Sequence, residues 1–287
     1  MTALRIVDEP PVLPPGLHRG IPMRDYLALN AMGSGRLEWL NTSPLHYRYM
    51  LEQPRESTDA QDLGTALHMA VLEPALFEEA YVLEPLDVAP LNAKPRATNA
   101  YREAVAALQE GGRTVLREDV MEKVRAMADA VRGHEHAAAL LARAPERELT
   151  MVWEYGGRLC RGRADMLGDR VVGDLKTTRS LKDFSPWVIS KFGYHRQAAF
   201  YELGLRALDR KIEHYFLVAV ENVEPFDVGV FALENAARIA GFMHNEYLLQ
   251  RLNECETSGR WPGMYPTVVP GTITDALMES LGEEVAS

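Results

Sequence analysis

Three segments, Leu149–Tyr155, Arg158–Leu167 and Val171–Thr177, follow one another with almost nothing between them. Their composition reads as strand. Gly156-Gly157 and Gly168-Asp169 separate them, and such dipeptides favour the backbone of tight hairpin turns. Strands joined this closely must lie side by side, so the chain is committed to one sheet with these three at its centre.

The flanks determine what covers that sheet. Met23–Leu29 and Ser34–Leu40 read as short helices. Thr42-Ser43-Pro44 is a helix start with proline in the first turn, continued by His46–Leu51. Asp59–Leu72 is predicted as a helix from the four-residue spacing of Leu63, Leu67 and Val71, and it stops at Glu73-Pro74. The stretch holding Pro85, Pro90 and Pro95 reads as a mobile loop. Asn99–Gln109 and Glu118–Arg132 are helices, the second with Val120, Val124, Met127 and Val131 on one face. After the third strand come a helical stretch from about Pro186 to Leu208, strands over Glu213–Val220 and Phe226–Phe231, and a long helix over Leu233–Cys255. A helical N-terminal part thus precedes a β-β-β-α-β-β-α part. The fold class is α/β (α+β), with a central mixed β-sheet flanked by helices.

Pro10, Pro11, Pro14 and Pro15 mark residues 1–15 as an extended arm. Residues 16–265 read as a single domain, mainly helical over 16–135 and sheet-bearing over 148–255. Residues 266–287, with Asp275, Glu279, Glu283 and Glu284, read as an acidic tail. No apolar run approaches the ~20 residues of a membrane span, and the N-terminus lacks the pattern of a secretory signal. Cys160 and Cys255 are too few for a four-cysteine zinc or iron–sulfur site. The expectation is a cytoplasmic protein with reduced thiols.

Chemistry concentrates in the strand triplet. Strand side chains alternate, so Leu159, Arg161, Arg163 and Asp165 share one face, as do Val172, Asp174, Lys176 and Thr178. The Gly168-Asp169 turn can bring Asp165 beside Asp174 and Lys176. A solvent-facing, salt-bridged hairpin would have the same charges. Val171, Val172 and Leu175 argue instead for a strand covered on both sides, and carboxylates crowded there repel unless a cation neutralises them. Two carboxylates with few other ligands suit Mg²⁺ or Mn²⁺.

Asp165 followed by Asp174-Leu175-Lys176 resembles the PD-(D/E)XK nuclease signature, with Ala164 in place of the proline. Gln197 and Tyr201, spaced i, i+4, resemble the Q-x-x-x-Y helix of the RecB-type branch. Gly64–Pro74 resembles the G-x-x-x-H helix of that branch, and its GTALHMAVLEP form is similar to the RecE (exonuclease VIII) nuclease domain and its phage relatives. Met32–Tyr47 resembles the opening element of RecE-like domains. The resemblance spans roughly residues 16–265 and implies a restriction-endonuclease-like core.

It also implies roles. His68, Asp165 and Asp174 would be metal ligands, joined by the Leu175 carbonyl. Gly64 would permit the close approach that a ligating His68 needs. Lys176 would be the catalytic lysine, with Gln197 and Tyr201 supporting it. Glu148 is a possible further acidic member, with Glu154 its rival. Arg161, Arg163 and Arg179 could contact DNA phosphates. The implied activity is Mg²⁺-dependent exonuclease action on the 5′ strand of linear duplex DNA, with Mn²⁺ able to substitute. It leaves 3′ overhangs for recombination or repair. Double-stranded DNA ends, a RecT-like annealing protein, and a homo-oligomeric ring (trimer or tetramer) are the implied partners, with no membrane. The alternatives are a catalytically silent DNA-binding relative and a RecB-type nuclease acting on single strands. No G-x-x-x-x-G-K-[ST] motif is present in this sequence, so no fused helicase is expected.

The chain has a formal net charge of −10, which excludes a nonspecific coat for nucleic acid. Between Arg158 and Lys182, however, seven basic residues face three acidic ones. A local positive groove on an acidic protein is compatible with nucleic-acid cleavage.

Overall fold

Strand Gly16–His18 (β1) lays the start of the fold along the edge of a sheet whose other strands come much later. This computed structural model describes residues 12–268, apart from 55–57, 91, 93, 183 and 185. Most of the expected arm (1–15) and acidic tail (266–287) lies outside the described residues.

Helices Met23–Ala28 (α1), Ser34–Thr42 (α2) and Pro44–Glu52 (α3) follow. Ser43 starts α3 by accepting a hydrogen bond from the His46 amide, with Pro44 in the first turn. Helix Asp59–Leu72 (α4) opens with a capping box in which Thr58 and Gln61 each accept the other's backbone N–H. It breaks at Glu73, and Pro74–Ala80 (α5) runs on at a new angle.

The proline-bearing stretch is not the mobile loop its composition suggests. Tyr81–Leu83 (β2) pairs in parallel with Thr114–Leu116 (β3), and helix Asn99–Glu110 (α6) connects them. Two short 3₁₀ turns, Leu86–Val88 and Pro95–Ala97, lie between. Glu84 is buried and accepts from Arg96 Nε at 2.8 Å and from the Tyr101 hydroxyl at 3.0 Å. A satisfied buried carboxylate ties down backbone that sequence periodicity could not detect.

Helices Glu118–Gly133 (α7) and Glu135–Arg143 (α8) lead into strands Glu146–Tyr155 (β4), Arg158–Leu167 (β5) and Val171–Thr178 (β6). Gly156 and Gly157 take φ of +56° and +74°, as a hairpin of this type requires. Gly168 serves a different need. A Cβ there would lie 2.3 Å from the Arg143 carbonyl, while the positive φ of that turn falls on Arg170. The helical stretch after β6 is two helices, Pro186–Lys191 (α9) and Tyr194–Ala207 (α10). Gly193 divides them with φ +68°. His214–Glu221 (β7), Val228–Ala232 (β8) and Asn235–Ser258 (α11) complete the chain.

The sheet order is β1-β4-β5-β6-β7-β8, antiparallel throughout except for the parallel β6–β7 pair. One core packs α2, α3, α10 and α11 against one face, through Leu40, Tyr47, Phe200, Leu252 and Trp153. A second packs α4, α5, α7 and α8 against the other, through Leu67, Phe77, Val124, Leu140 and Leu175. The fold is therefore a mixed, mainly antiparallel sheet flanked by helices, the expected class. Among the described residues no helix is long and apolar enough to cross a membrane.

One irregularity positions the site. The β4–β5 ladder runs Arg147↔Met166 and then Leu149↔Ala164, so the intervening Glu148 and Asp165 are unpaired. Ala164 packs in the α10-side core and Met166 in the α4-side core, although residues two apart in a strand share a face. The strand turns over at Asp165. Opposite it, Glu148 takes φ +47°, a conformation rarely adopted by residues other than glycine.

Candidate active site

That interruption sends two buried carboxylates toward α4. His68 Nδ1 lies 3.6 Å from Glu148 Oε1 and 3.6 Å from Asp165 Oδ2. One ligand atom from each of the three residues can be chosen so that all lie within 4.8 Å of one another. The other ring nitrogen, Nε2, is 2.9 Å from the Leu175 carbonyl and must donate to it. That bond fixes the ring and leaves Nδ1 facing the carboxylates, the arrangement a metal-ligating histidine uses.

The electrostatics fit a cation. Burial lowers the proton affinity of His68, but the Asp165 and Glu148 carboxylates outweigh it and push its pKa up to about 9. Burial holds Asp165 well above the usual carboxylate range, against the attraction of His68. Burial also opposes ionisation of Glu148, but His68 and Arg163 draw it below its ordinary value. Two crowded carboxylates thus rely on a protonated imidazole for neutralisation. One imidazole nitrogen and two carboxylates make a donor set suited to a small divalent ion. The strained backbone at Glu148 is also typical of functional positions.

A second cluster sits on the α10 side of β6. Asp174, 1% exposed, is ion-paired with Lys176. Gln197 on α10 bridges the two: its Nε2 donates to Asp174 Oδ1 at 3.2 Å, and its Oε1 accepts from Lys176 Nζ at 3.2 Å. The same Nε2 lies 3.3 Å from the Tyr201 hydroxyl one turn later. Lys176 also lies over the Tyr194 ring, 5.1 Å from its centroid. Burial disfavours the ammonium, but Asp174 and Asp165 hold the Lys176 pKa above its ordinary value, so the side chain is charged.

Leu175 joins the clusters. Its N–H donates to Asp165 Oδ2 at 2.7 Å and its carbonyl meets His68. The β5–β6 ladder ends at Met166↔Gly173, so the Asp165 carboxylate takes the place of the next backbone acceptor.

These placements alter the anticipated division of roles. Asp174 is engaged by Lys176 and Gln197, and Glu148 takes the third place beside His68 and Asp165. The Leu175 carbonyl orients His68. Glu154 is exposed at the far end of β4. Gly64 meets nothing where a Cβ would stand, so close packing does not account for it. Arg163 pairs with Glu148 and donates to the Ile21 carbonyl at 2.7 Å. Arg161 is 3% exposed, with its guanidinium on the Tyr26 carbonyl and ring, so it is an interior support and offers no surface for phosphate. Arg179 is exposed just beyond β6. Tyr194 was missed, although it stands three residues before Gln197 and shares its helix face.

Both clusters open into a cleft of about 1140 Å³. His68, Glu148, Arg163 and Lys176 lie along it, with Arg113 and Phe192 among its other residues.

Comparison with known proteins agrees with this architecture. No curated protein matches the sequence. A crystal structure from Eubacterium rectale, of a protein named as a putative exonuclease, superposes with a TM-score of 0.61. The match covers 92% of this chain and 98% of that one at 11% identity, a likeness of fold. Residues 39–265 match the family described as a PDDEXK-like domain of unknown function (DUF3799). The signature Asp165–Asp174–Lys176 falls inside that span, and the chain belongs to this PDDEXK-like family.

Proposed function

We propose that the protein is a divalent-metal-dependent nuclease, and more narrowly a RecE-like DNA exonuclease. The observation that carries the first statement is the pairing of a cation-fitting triad with a charged lysine in one cleft. His68, Glu148 and Asp165 would hold the ion, Mg²⁺ by preference and Mn²⁺ as a substitute. When bound, such an ion activates water and neutralises charge on the scissile phosphate.

The chain's own residues account for the rest. Lys176 is held charged, so it is a donor and a fixed positive charge, not a general base. It orients the attacking water and stabilises negative charge developing on the phosphoryl oxygens. Asp174 keeps Lys176 protonated, and Gln197 fixes the positions of both. Tyr201 supports Gln197. In-line displacement would leave a 5′-phosphate and a 3′-hydroxyl.

The finer terms rest on the sequence resemblance. They are degradation of the 5′ strand from linear duplex ends, a 3′ overhang passed to a RecT-like annealing protein, a ring-shaped homo-oligomer and a cytoplasmic setting. End-labelled linear duplex, closed circular duplex and single-stranded DNA, each with Mg²⁺ or EDTA, test them together. The expected result is Mg²⁺-dependent loss of the 5′-labelled strand from linear duplex alone. Cleavage that survives both Asp165→Asn and Lys176→Ala would refute the site. Light scattering on the purified protein measures the oligomer.

A further inference from the structure

A contiguous exposed aromatic patch, unlike a singly exposed apolar residue, marks an interaction surface. Trp187 in the first turn of α9 is 65% exposed, and Phe192 in the turn between α9 and α10 is 55% exposed. Lys191 lies between them, its Nζ 4.5 Å from the Trp187 ring centroid and 5.4 Å from that of Phe192. Phe192 stacks on Tyr194, with centroids 5.8 Å apart and planes 25° from parallel. Tyr194 in turn lies against Lys176. An unbroken line of rings and ammonium groups therefore runs from the solvent to the catalytic lysine. Phe192 and Tyr194 themselves line the cleft.

We propose that Phe192 and Trp187 form a stacking platform for unpaired nucleobases at the mouth of the cleft, with Lys191 contacting the adjoining phosphate. The inference rests on the nuclease reading and adds a substrate feature: the strand is engaged with at least one base out of the duplex. The chemistry favours this occupant. Every base presents a π-face, so aromatic rings hold single strands without regard to sequence, and a cation beside the rings tracks the backbone. A partner protein could also cover exposed rings, but the patch is continuous with the site that must receive the phosphodiester. A flat ring that is rigidly backed also suits stacking, and Tyr194 and Phe184 stand behind Phe192 in succession, with centroids 6.0 Å apart.

The test compares two single-stranded oligonucleotides of equal length and charge, one natural and one with abasic positions. Binding is measured in EDTA by fluorescence anisotropy. The wild type is expected to bind the natural strand about tenfold more tightly. The Trp187→Ala/Phe192→Ala double variant should bind both strands equally, at the wild type's abasic level. Phe192→Trp should keep the preference, and Phe192→Leu, which is apolar but has no π-face, should lose most of it. Both rings lie at the surface, so a thermal melt should show the variants folded. If the wild type binds natural and abasic strands alike while still cleaving DNA, the platform is refuted and the nuclease reading stands. If the substitutions leave the preference intact, the platform is again refuted and a protein-partner role for these rings becomes the alternative to test. If no nucleic acid is bound or cleaved, both readings fall.

Discussion

The site turns on which atom of each residue faces which neighbour. His68 offers Nδ1 to two carboxylates because Leu175 occupies Nε2. Without an ion, the proton on His68 is retained up to a pKa of about 9, and Asp165 also holds its proton at unusually high pH. A cation must displace these protons. Metal affinity should therefore rise with pH and level off above about 9. Mn²⁺ titration calorimetry at several pH values, in buffers of different ionisation enthalpy, should show the rise and the released protons. Affinity independent of pH would exclude His68 as a ligand. The two clusters also separate by substitution. Glu148→Gln should weaken Mn²⁺ binding at least tenfold, whereas Asp174→Asn should largely preserve binding but abolish cleavage. Gln197→Ala removes the bridge between Asp174 and Lys176. The loss expected is about 10–100-fold in kcat, with little change in KM, by analogy with outer-shell partners of other metal sites. That Asp165, Asp174, Lys176 and His68 gather around the start of β6 was legible from spacing and resemblance. That Glu148 faces His68 beside Asp165 while Asp174 turns to Lys176 was not, because it depends on a strand turning over at one residue, and alternation assumes that strands do not.

Among elements, helix starts and glycine turns were the most legible features. The Ser43-Pro44 start and the Gly156-Gly157 hairpin lie where local chemistry places them. Elements of three residues, such as β2 and β3, have no periodicity to read, whereas α8, at nine residues as long as α2, was missed although length did not hide it. Other glycines answer to distant backbone. A Cβ at Gly241 on α11 would lie 2.3 Å from the His195 carbonyl oxygen on α10. These helices pack backbone to backbone, and the oxygen cannot move without shifting α10 and hence Gln197. Gly241→Ala should destabilise the fold by about 1–3 kcal/mol, although alanine is the better helix former. Chemical denaturation measures this, and a neutral or stabilising result would mean that the helices can separate at no cost. Thr58→Ala should cost about 1 kcal/mol through loss of the cap on α4. Because α4 carries His68, metal affinity should fall with it.

At the scale of the whole molecule, charge and cleft have to be reconciled. The net charge of −10 repels a polyanion at long range, and the cations in the cleft are largely spoken for. Arg163 is paired with Glu148 and Lys176 with Asp174, while Arg113 adds to the cleft from its other wall. On the proposed nuclease reading, phosphate contact would come from a few side chains, such as Arg113 in the cleft, Lys191 beside Phe192 and the exposed Arg179 just beyond β6. Each neutralised phosphate contributes about −0.9 to the slope of log affinity against log salt on duplex DNA. Three contacts predict a slope of about −3, shallow for a DNA-binding protein. Duplex binding measured in EDTA from about 50 to 200 mM salt should then weaken by less than about 100-fold. A slope near −8 would require about nine neutralised phosphates, more than the cations along this cleft supply, and it would move the nucleic-acid path away from this cleft. A shallow slope together with a base-dependent gain on single strands would locate the missing affinity in stacking and in the metal. Such an enzyme would grip an end it can open and pass over intact duplex.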